Sequence, residues 1–271
     1  MILSVVISIY EKEKSYYFHN AMNSIWNEQK IKPDEIILIE DGKLTCELYD
    51  EISIWKKIIK NKLKIISLDC NVGLANALNI AISSCCGKYI ARMDTDDIAL
   101  FDRFEKQINF LENNLDVDVV GTWMSEIDEN NNLINSLVEY PLTHSELFDF
   151  FAKRDPLAHP TVMFRNTFFE KAGLYSNKVH LAEDTLLWYS GFINNCRFAN
   201  IPYVGLKFRR ASAFYLRRAN WKKSWGLLKF RLLHINRKLG YGFKADLYAI
   251  AYFIMSISPS FVKKWLYSTF R

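Results

Sequence analysis

The chain has 271 residues, of which 50% are apolar and 15% aromatic, and its formal net charge is +5. A chain of this size and composition can bury a substantial core, which excludes an intrinsically disordered protein and predicts one large α/β domain, with or without an appendage. Residues 197–271 contain sixteen Lys/Arg and one acidic residue, whereas residues 1–196 contain nineteen Lys/Arg and twenty-nine Asp/Glu, so the basic part suits nucleic acid or an anionic membrane surface as a partner.

The N-terminal stretch MILSVVISIYEKEK predicts a buried first strand and no secretion signal, since no basic region precedes its apolar run and no small-residue cleavage site follows it. The five cysteines form no CxxC pair and have no histidine at zinc-ligand spacing. They are therefore predicted to be reduced thiols, packed as small hydrophobic side chains in a cytoplasmic protein.

The first half of the chain alternates strand and helix patterns. The predicted strands cover 3–10, 34–40, 63–68 and 88–93, and the predicted helices cover 17–29, 45–60, 71–85 and 102–114. This alternation predicts a parallel sheet with helices on both faces. In such sheets, ligands bind beyond the carboxyl ends of the strands.

The alternation ends after residue 115. Further strands are predicted at 117–128 and 159–165, and helices at 182–193, 217–240 and 246–257. The helix at 217–240 is long and basic. No internal repeat, low-complexity tract or linker interrupts the sequence, so the basic shift near residue 197 is the main change in composition.

Three carboxylates, Asp94, Asp96 and Asp97, follow the strand predicted to end at Met93. Clustered carboxylates suit Mg²⁺ or Mn²⁺, which prefer oxygen ligands and are often held by one or two carboxylates together with substrate phosphates. Such an ion would neutralise charge that develops on a diphosphate leaving group. The alternative is that these residues cap the helix that follows.

Five stretches stand in the order and spacing of a known family: SVVISIY, EIILIEDG, NVGLANALNIAI, GKYIARMDTDDIALFDRFEKQ and AEDTLLW. Over residues 1–210 the chain resembles family 2 glycosyltransferases, which are nucleotide-sugar-dependent enzymes with the GT-A fold. Within the family it is most similar to small bacterial enzymes that build O-antigen, capsule and lipooligosaccharide. The resemblance implies an α/β fold with a mostly parallel central sheet, helices on both faces and a basic helical C-terminal tail.

The resemblance places the nucleotide at the ends of the first strands and at the helix start nearby. The implied nucleotide-binding residues are Ser8, Ile9, Tyr10, Glu40, Asp41, Asn71, Gly73 and Asp94. Asp41 matches the acid that hydrogen-bonds the base, and a turn residue before Gly42 is the alternative interpretation. The chain departs from the family pattern at Ser8, where proline is usual, and in EDGK, where DDGS is usual.

In the DTDD motif, the resemblance implies that Asp94 faces the ribose or the metal and that Asp96 is the main ligand of Mn²⁺ or Mg²⁺. Asp97 would cap the helix starting near Asp102 or hold a metal-bound water. Arg92 is a candidate for charge balance behind the motif, and His159 a candidate on the acceptor side.

The stretch AEDTLLW matches the position of the family's general base. Inverting sugar transfer needs a base that takes the proton from the acceptor hydroxyl as this hydroxyl attacks the anomeric carbon. Asp184 aligns best with that role, and Glu183 is the second candidate. The alternative is that both acids complement the helix dipole.

The resemblance therefore implies an inverting, metal-dependent enzyme that moves a sugar from a nucleotide diphosphate sugar, expected to be a UDP-sugar, to a lipid-linked oligosaccharide. We expect it to be non-processive, because it lacks a QxxRW motif and its longest uncharged run, 247–262, is shorter than the roughly 20 residues of a membrane span. The rival interpretation is a nucleotide-sugar-binding or scaffold protein without catalysis. A nucleic-acid partner is not expected, since no matching motif is present.

The predicted domains are a GT-A catalytic domain at 1–212, with a nucleotide-binding half (1–115) and an acceptor half (116–212), and a basic amphipathic helical tail at 213–271. The aromatic residues and Lys/Arg excess of the tail are typical of helices that lie in a membrane interface. We therefore expect peripheral binding to anionic lipid on the cytoplasmic face of the bacterial plasma membrane. The alternative is that these helices cover the catalytic domain.

Overall fold

The computed structural model of the protein describes residues 2–179, 181–210 and 221–258. The strands are β1 (Leu3–Ile9), β2 (Glu35–Glu40), β3 (Leu63–Ser67), β4 (Tyr89–Arg92), β5 (Ile98–Ala99), β6 (Val119–Ile127), β7 (Leu133–Val138), β8 (Met163–Arg165) and β9 (Phe198–Arg209). Within these described ranges they form one sheet in the order β3-β2-β1-β4-β8-β6-β9-β5, and β7 pairs with β6.

Helices precede or follow most strands. They are α1 (Ser15–Trp26), α2 (Cys46–Ile59), α3 (Leu74–Ser83), α4 (Arg103–Asn113), α5 (His144–Phe151), α6 (Thr167–Ala172), α7 (Glu183–Ile193), α8 (Trp221–Phe230), α9 (Asn236–Lys238) and α10 (Phe243–Ile257). Short 3₁₀ turns occur at Lys60–Lys62 and His159–Thr161, and the π-helical segment Arg231–Ile235 joins α8 to α9.

The first four strands pair in parallel. Of these, β1, β2 and β4 are buried on both faces, as is usual for a parallel sheet covered by helices on each side, whereas β3 is the partly exposed outer strand. Every residue of β2 is buried. Val5 and Ile7 of β1 pack with α1, α2 and α4, whereas Val6 packs on the opposite face with α3, α5, α6 and α7. The predicted α/β fold with helices on both faces is confirmed. The sheet as a whole is mixed, since β5, β7 and β8 add antiparallel pairs.

Strand β9 is the largest element that the sequence pattern did not predict. It runs parallel to β6, but the pairing is irregular beside Pro202 and Gly205: Ile201 lies opposite Thr122, and Val204 opposite Trp123. Proline and glycine inside a strand favour such irregularities, and they mask the alternation of a strand. A Cβ at Gly205 would lie 2.5 Å from the Thr122 hydroxyl, so the close approach of β6 requires glycine there.

The region around residue 160 differs from the predicted strand 159–165. His159–Thr161 forms a 3₁₀ turn with Pro160 in its first turn, and only Met163–Arg165 pairs as a strand, antiparallel to β4. Helices α5 and α6 and strand β7, in the acceptor half, were also not predicted.

As far as they are described, the C-terminal helices pack on the part of the chain that precedes them. Leu227 of α8 contacts a small cluster that includes Leu186 of α7, and Ile235 is fully buried in the cluster that contains Trp188. The single helix predicted at 217–240 is wrong in detail, because a π-helical segment interrupts it. The predicted boundary at residue 212 lies outside the described residues. Among the residues described, no helix is long and apolar enough to cross a membrane.

Candidate active site

The carboxyl ends of β1, β2 and β4 lie at one edge of the sheet. Ile9 pairs with Glu40, Val6 pairs with Arg92, and the Asp41 N–H donates to the Ile9 carbonyl at 2.8 Å. Parallel pairing therefore brings three predicted segments together: the β1 end with Ser8 and Tyr10, the β2 end, and the DTDD motif. The Ile9 side chain lies in the core, so only its backbone faces this edge.

Asp41 ties the end of β2 to the loop before α3. Its Oδ1 accepts from the Val72 N–H at 2.7 Å, its Oδ2 accepts from the Gly73 N–H at 3.1 Å, and the Asn71 side chain donates to its carbonyl at 3.2 Å. The Asp41 carboxylate thus organises the loop that the resemblance predicts to lie beside the nucleotide. Its neighbour Glu40 accepts from the Ser67 hydroxyl at 2.5 Å.

Two glycines shape this loop for different reasons. Gly42 has a φ of +87°, and a Cβ there would lie 2.7 Å from the Asn71 nitrogen, so both conformation and space require glycine. Gly73 has a φ of +86°, but a Cβ would meet nothing within 4 Å, so the requirement at Gly73 is one of backbone conformation.

The DTDD motif forms a tight carboxylate cluster. Asp94, Asp96 and Asp97 each present one oxygen, and these atoms lie within 4.8 Å of one another. The guanidinium of Arg92 forms an ion pair with Asp94, and its side chain is only 4% exposed. Burial alone would lower the pKa of Arg92, but the carboxylates of Asp94 and Asp97 outweigh it and raise the pKa. A positive charge therefore stands behind the acids.

Asp97 is fully buried and anchored to the far end of β9. Its Oδ1 accepts from the Arg209 N–H at 2.8 Å, and the Arg209 Nε donates to the Asp96 carbonyl at 2.8 Å. Asp97 does not cap α4, because Asp102 occupies that helix's N-cap position. Burial and the charges of Asp96 and Asp94 raise the pKa of Asp97 well above its usual value.

The cluster fits a hard divalent cation. All of its donors are carboxylate oxygens, as Mg²⁺ and Mn²⁺ prefer. Asp94 and Asp96 are half-buried and therefore reachable, whereas Asp97 is enclosed. Asp94 and Asp96 are thus the residues that could hold an ion, and Asp97 with Arg209 fixes their backbone.

The acidic first turn of α7 forms a second group. Asp184 Oδ1 accepts from the Thr185 N–H at 2.8 Å, and the Thr185 hydroxyl donates to Asp155 at 2.8 Å. Burial and the charge of Asp184 raise the pKa of Glu183 and raise that of Asp155 to about 6. Asp155 could not be recognised from the sequence, since it lies 29 residues from Asp184 in a stretch without a motif.

His159 is a buried side chain. Its Nε2 is 2.6 Å from the Tyr175 hydroxyl, and the Tyr175 backbone is held by both atoms of the Asn79 amide in α3. Burial and the charge of Arg92 lower the pKa of His159 well below its usual value. The ring also packs edge-on against Trp188. These contacts show that His159 is a packed, buried side chain.

Comparison with known proteins agrees with this geometry. The family described as Glycosyl transferase family 2 matches residues 4–172, which include the three strand ends and the DTDD motif. The chain belongs to glycosyl transferase family 2. It is therefore a glycosyltransferase, as the resemblance implied. The acidic turn of α7 lies outside the matched residues.

Relatives with related names align over nearly the whole chain. The amylovoran biosynthesis glycosyltransferase AmsE of Erwinia amylovora is 31% identical over 273 residues, covering 99% of this chain and 98% of that protein. The UDP-Gal:alpha-D-GlcNAc-diphosphoundecaprenol beta-1,3-galactosyltransferase of Escherichia coli is 30% identical over 268 residues, covering 99% and 93%. The family therefore includes relatives of similar length to this chain.

Solved structures share the fold at low identity. S. aureus TarS 1-349 in complex with UDP-GlcNAc has a TM-score of 0.61 and 17% identity, covering 97% of this chain and 83% of that chain. The mannosyltransferase PcManGT from Pyrobaculum calidifontis, in complex with GDP-Man and Mn2+, has a TM-score of 0.63 and 14% identity, covering 98% and 78%. These similarities support the GT-A fold that the sequence predicted.

Proposed function

We propose that this family 2 enzyme is an inverting, non-processive glycosyltransferase that moves a sugar from a UDP-sugar to a lipid-linked oligosaccharide during bacterial surface polysaccharide synthesis. The observation that supports this most directly is the meeting of the β1 and β2 ends with the DTDD cluster at one edge of the sheet. The names of the Erwinia and Escherichia relatives support a polysaccharide pathway and a lipid-diphosphate acceptor. The UDP-GlcNAc complex of a structural neighbour supports a UDP-sugar donor.

The donor would bind across the strand ends. The residues assigned to it are Ser8, Tyr10, the Ile9 backbone, Glu40, Asp41, Asn71, Gly73 and Asp94. Asp94 and Asp96 would hold Mn²⁺ or Mg²⁺, which, when bound, neutralises the charge on the departing diphosphate. Arg92 limits the repulsion among the acids before the ion arrives, since its buried charge pairs with Asp94.

Asp184 would act as the general base, with Glu183 as the second candidate. The acceptor hydroxyl oxygen forms a bond to the anomeric carbon, the bond from that carbon to the nucleotide diphosphate oxygen breaks, and the hydroxyl proton passes to the Asp184 carboxylate. Attack from the face opposite the diphosphate inverts the anomeric configuration. Asp184 is half-buried, and the Thr185 N–H orients one of its oxygens.

A donor panel tests this assignment. The purified protein would be incubated with Mn²⁺, a polyprenyl-diphosphate sugar acceptor and, in turn, UDP-glucose, UDP-galactose, UDP-GlcNAc and GDP-mannose. We expect nucleotide release from a UDP-sugar that depends on acceptor, and a product with inverted anomeric configuration by NMR. Tight UDP-sugar binding by calorimetry without turnover on any acceptor would instead favour the rival role of a non-catalytic binding or scaffold protein.

The C-terminal helices supply the proposed membrane contact at the cytoplasmic face. Helix α10 buries Ala245 and Ala249, while its other face leaves apolar side chains between 40% and 58% exposed: Leu247, Tyr248, Ile250 and Ile254. Beside this face, the rings of Trp221 and Trp225, both on α8, stack on each other and contact the ring of Phe253 on α10. Exposed aliphatic and aromatic side chains among basic residues suit the interface of an anionic membrane. Trp265, an aromatic residue of the predicted tail at 213–271, lies outside the described residues.

A further inference from the structure

The acidic turn of α7 is held by a residue from another segment. Thr185, which is 2% exposed, bonds in two directions: its N–H donates to Asp184 Oδ1 at 2.8 Å, and its hydroxyl donates to Asp155 Oδ1 at 2.8 Å. Water has little access to this buried side chain, so it cannot readily replace either partner. Asp155 therefore anchors the first turn of α7 through the Thr185 hydroxyl, and the backbone N–H of Thr185 in the same turn orients the Asp184 carboxylate.

Asp155 is held in turn by the C-terminal helices. Arg231, in the π-helical segment after α8, places Nη2 3.5 Å from Asp155 Oδ1. Its Nη1 donates to the Phe151 carbonyl at 2.9 Å, and its guanidinium lies over the Phe151 ring at 5.2 Å. The Arg231 side chain is 6% exposed, so these contacts fix it against the end of α5. π-Helical segments are rare and are found frequently at functional sites.

Charge explains why a buried arginine is needed there. The negative charge of Asp184 acts on both Asp155 and Glu183, and burial adds to the cost of ionising these two carboxyl groups, so the pKa of each is raised. The positive charge of Arg231 opposes this effect at Asp155, and that of Lys223 opposes it at both Asp155 and Glu183. Without Arg231, the half-buried Asp155 carboxylate would lie near the Asp184 carboxylate with less positive charge to offset their repulsion.

We propose that Arg231 and Asp155 are positioning residues for the transfer reaction, which through Thr185 hold the Asp184 carboxylate toward the acceptor hydroxyl. The C-terminal helices therefore complete the acceptor side of the active site in addition to covering it. This inference rests on the proposed role of Asp184 as general base.

Kinetics of four variants test the proposal: Thr185→Val, Thr185→Ser, Asp155→Asn and Arg231→Met. We expect Thr185→Val and Arg231→Met to lower kcat by about tenfold to a hundredfold, the scale on which a misplacement of about 1 Å acts. The KM for the UDP-sugar should stay within about twofold, because the nucleotide site is not touched. Thr185→Ser keeps the hydroxyl and should retain most of the activity. The kcat of Asp155→Asn should lie between that of Thr185→Val and that of Thr185→Ser.

The matched control is Arg237→Met, which removes an exposed cation from the same helices and should leave kcat unchanged. Melting temperatures of all variants would be measured in parallel. If Arg231→Met is unfolded at the assay temperature, the near-isosteric Thr185→Val decides the question. A kcat within twofold of the parent for folded Thr185→Val would overturn the proposal.

A double-mutant cycle separates positioning from a merely structural effect. In an Asp184→Asn background, Thr185→Val should lower kcat by much less than it does alone, since there is no base left to orient. Full additivity would overturn the proposal. If Asp184→Asn alone keeps its activity, the proposed base is wrong; if it loses activity while Thr185→Val and Arg231→Met keep theirs, only the positioning role is wrong.

Discussion

Arg92 and Asp94 form an ion pair at the end of β4, in which the arginine side chain is 4% exposed and the aspartate side chain 28%. Three carboxylates stand within four residues there, and this buried guanidinium contacts the first of them directly. The pair has consequences for stability as well as for the site.

Arg92→Met should lower the free energy of unfolding by about 3 kcal/mol, because it leaves the partly buried Asp94 carboxylate without its ion-pair partner. Urea unfolding measures the change. Arg197→Met is the matched control: its partner Asp116 is 62% exposed, so its loss should be less than about 1 kcal/mol. Equal losses in the two variants would contradict the prediction.

Asp96→Ala should abolish sugar transfer, and transfer by the parent protein should require Mn²⁺ or Mg²⁺. The reason is that Asp96 is a reachable carboxylate in a cluster of oxygen donors. Product formation would be measured with and without excess EDTA, with Asp116→Ala as the control for an exposed aspartate far from the strand ends. Full activity in EDTA would exclude a metal-dependent reaction.

Asp184→Asn should lower kcat by about a hundredfold or more, the usual effect of losing a general base, while UDP binding barely changes. Glu183→Gln should have the milder effect of the two. Steady-state kinetics and calorimetry with UDP distinguish the outcomes. A collapse of UDP affinity with kcat preserved would assign Asp184 to the nucleotide site instead.

The stability of the protein should depend on pH through Asp155. Its pKa is raised in the folded state to about 6 from an ordinary 3.8, so the folded state binds the proton more tightly and the group's contribution to stability falls as the pH rises from about 4 to 6. Asp155→Asn mimics the protonated form. Since the side chain is 34% exposed, we expect the variant to be more stable than the parent by only about 1 kcal/mol at pH 8, with no gain at pH 4.

Chemical unfolding of both proteins at pH 4, 6 and 8 measures this difference. A variant less stable than the parent at pH 8 would show that the ion pair with Arg231 outweighs the burial of Asp155. Activity should move in the opposite direction, since the same substitution is expected to loosen the acidic turn of α7.

The protein should sediment with liposomes that contain anionic lipid and should be released by high salt. Leu247→Asp combined with Ile254→Asp should weaken binding at least about tenfold, because burying one such side chain contributes about 1.5–3 kcal/mol. Leu115→Asp, at a position 76% exposed outside these helices, is the control. Equal binding of the parent and the double variant would assign α10 no role at the membrane. A chain ending at residue 212 is a poorer test, since it loses the buried Leu227 and Ile235.

The nucleotide half of the fold could be predicted because its signals are local. Strands β1 to β4 are apolar runs, and α1 to α4 show helical spacing. The elements between residues 116 and 212 were harder to predict. Pro202 and Gly205 interrupt the alternating pattern of β9, and α5 is only eight residues long. One available signal was missed: Thr143 and Glu146 form a capping box that marks the start of α5.

Some residues of the candidate site could likewise be recognised from the sequence, and others could not. The DTDD motif and the acids of α7 are contiguous in the sequence and could be recognised. Arg209, Asp155 and Arg231 could not, because each reaches its partner across a long stretch of chain and lies in a segment with no motif of its own. Residues that position others are determined by tertiary contacts, which a local pattern does not record.

The bond between Asp97 and the Arg209 N–H joins residues 112 positions apart. At a synthesis rate of about 5–20 residues per second, roughly 6–20 seconds pass between the synthesis of Asp97 and that of Arg209, which anchors it. Strand β5 likewise cannot pair until β9 has been synthesised, because its partners in β9 are Leu206 and Lys207. The nascent chain can assemble its first parallel strands early, but its three carboxylates acquire their final geometry only after most of the acceptor half has left the ribosome.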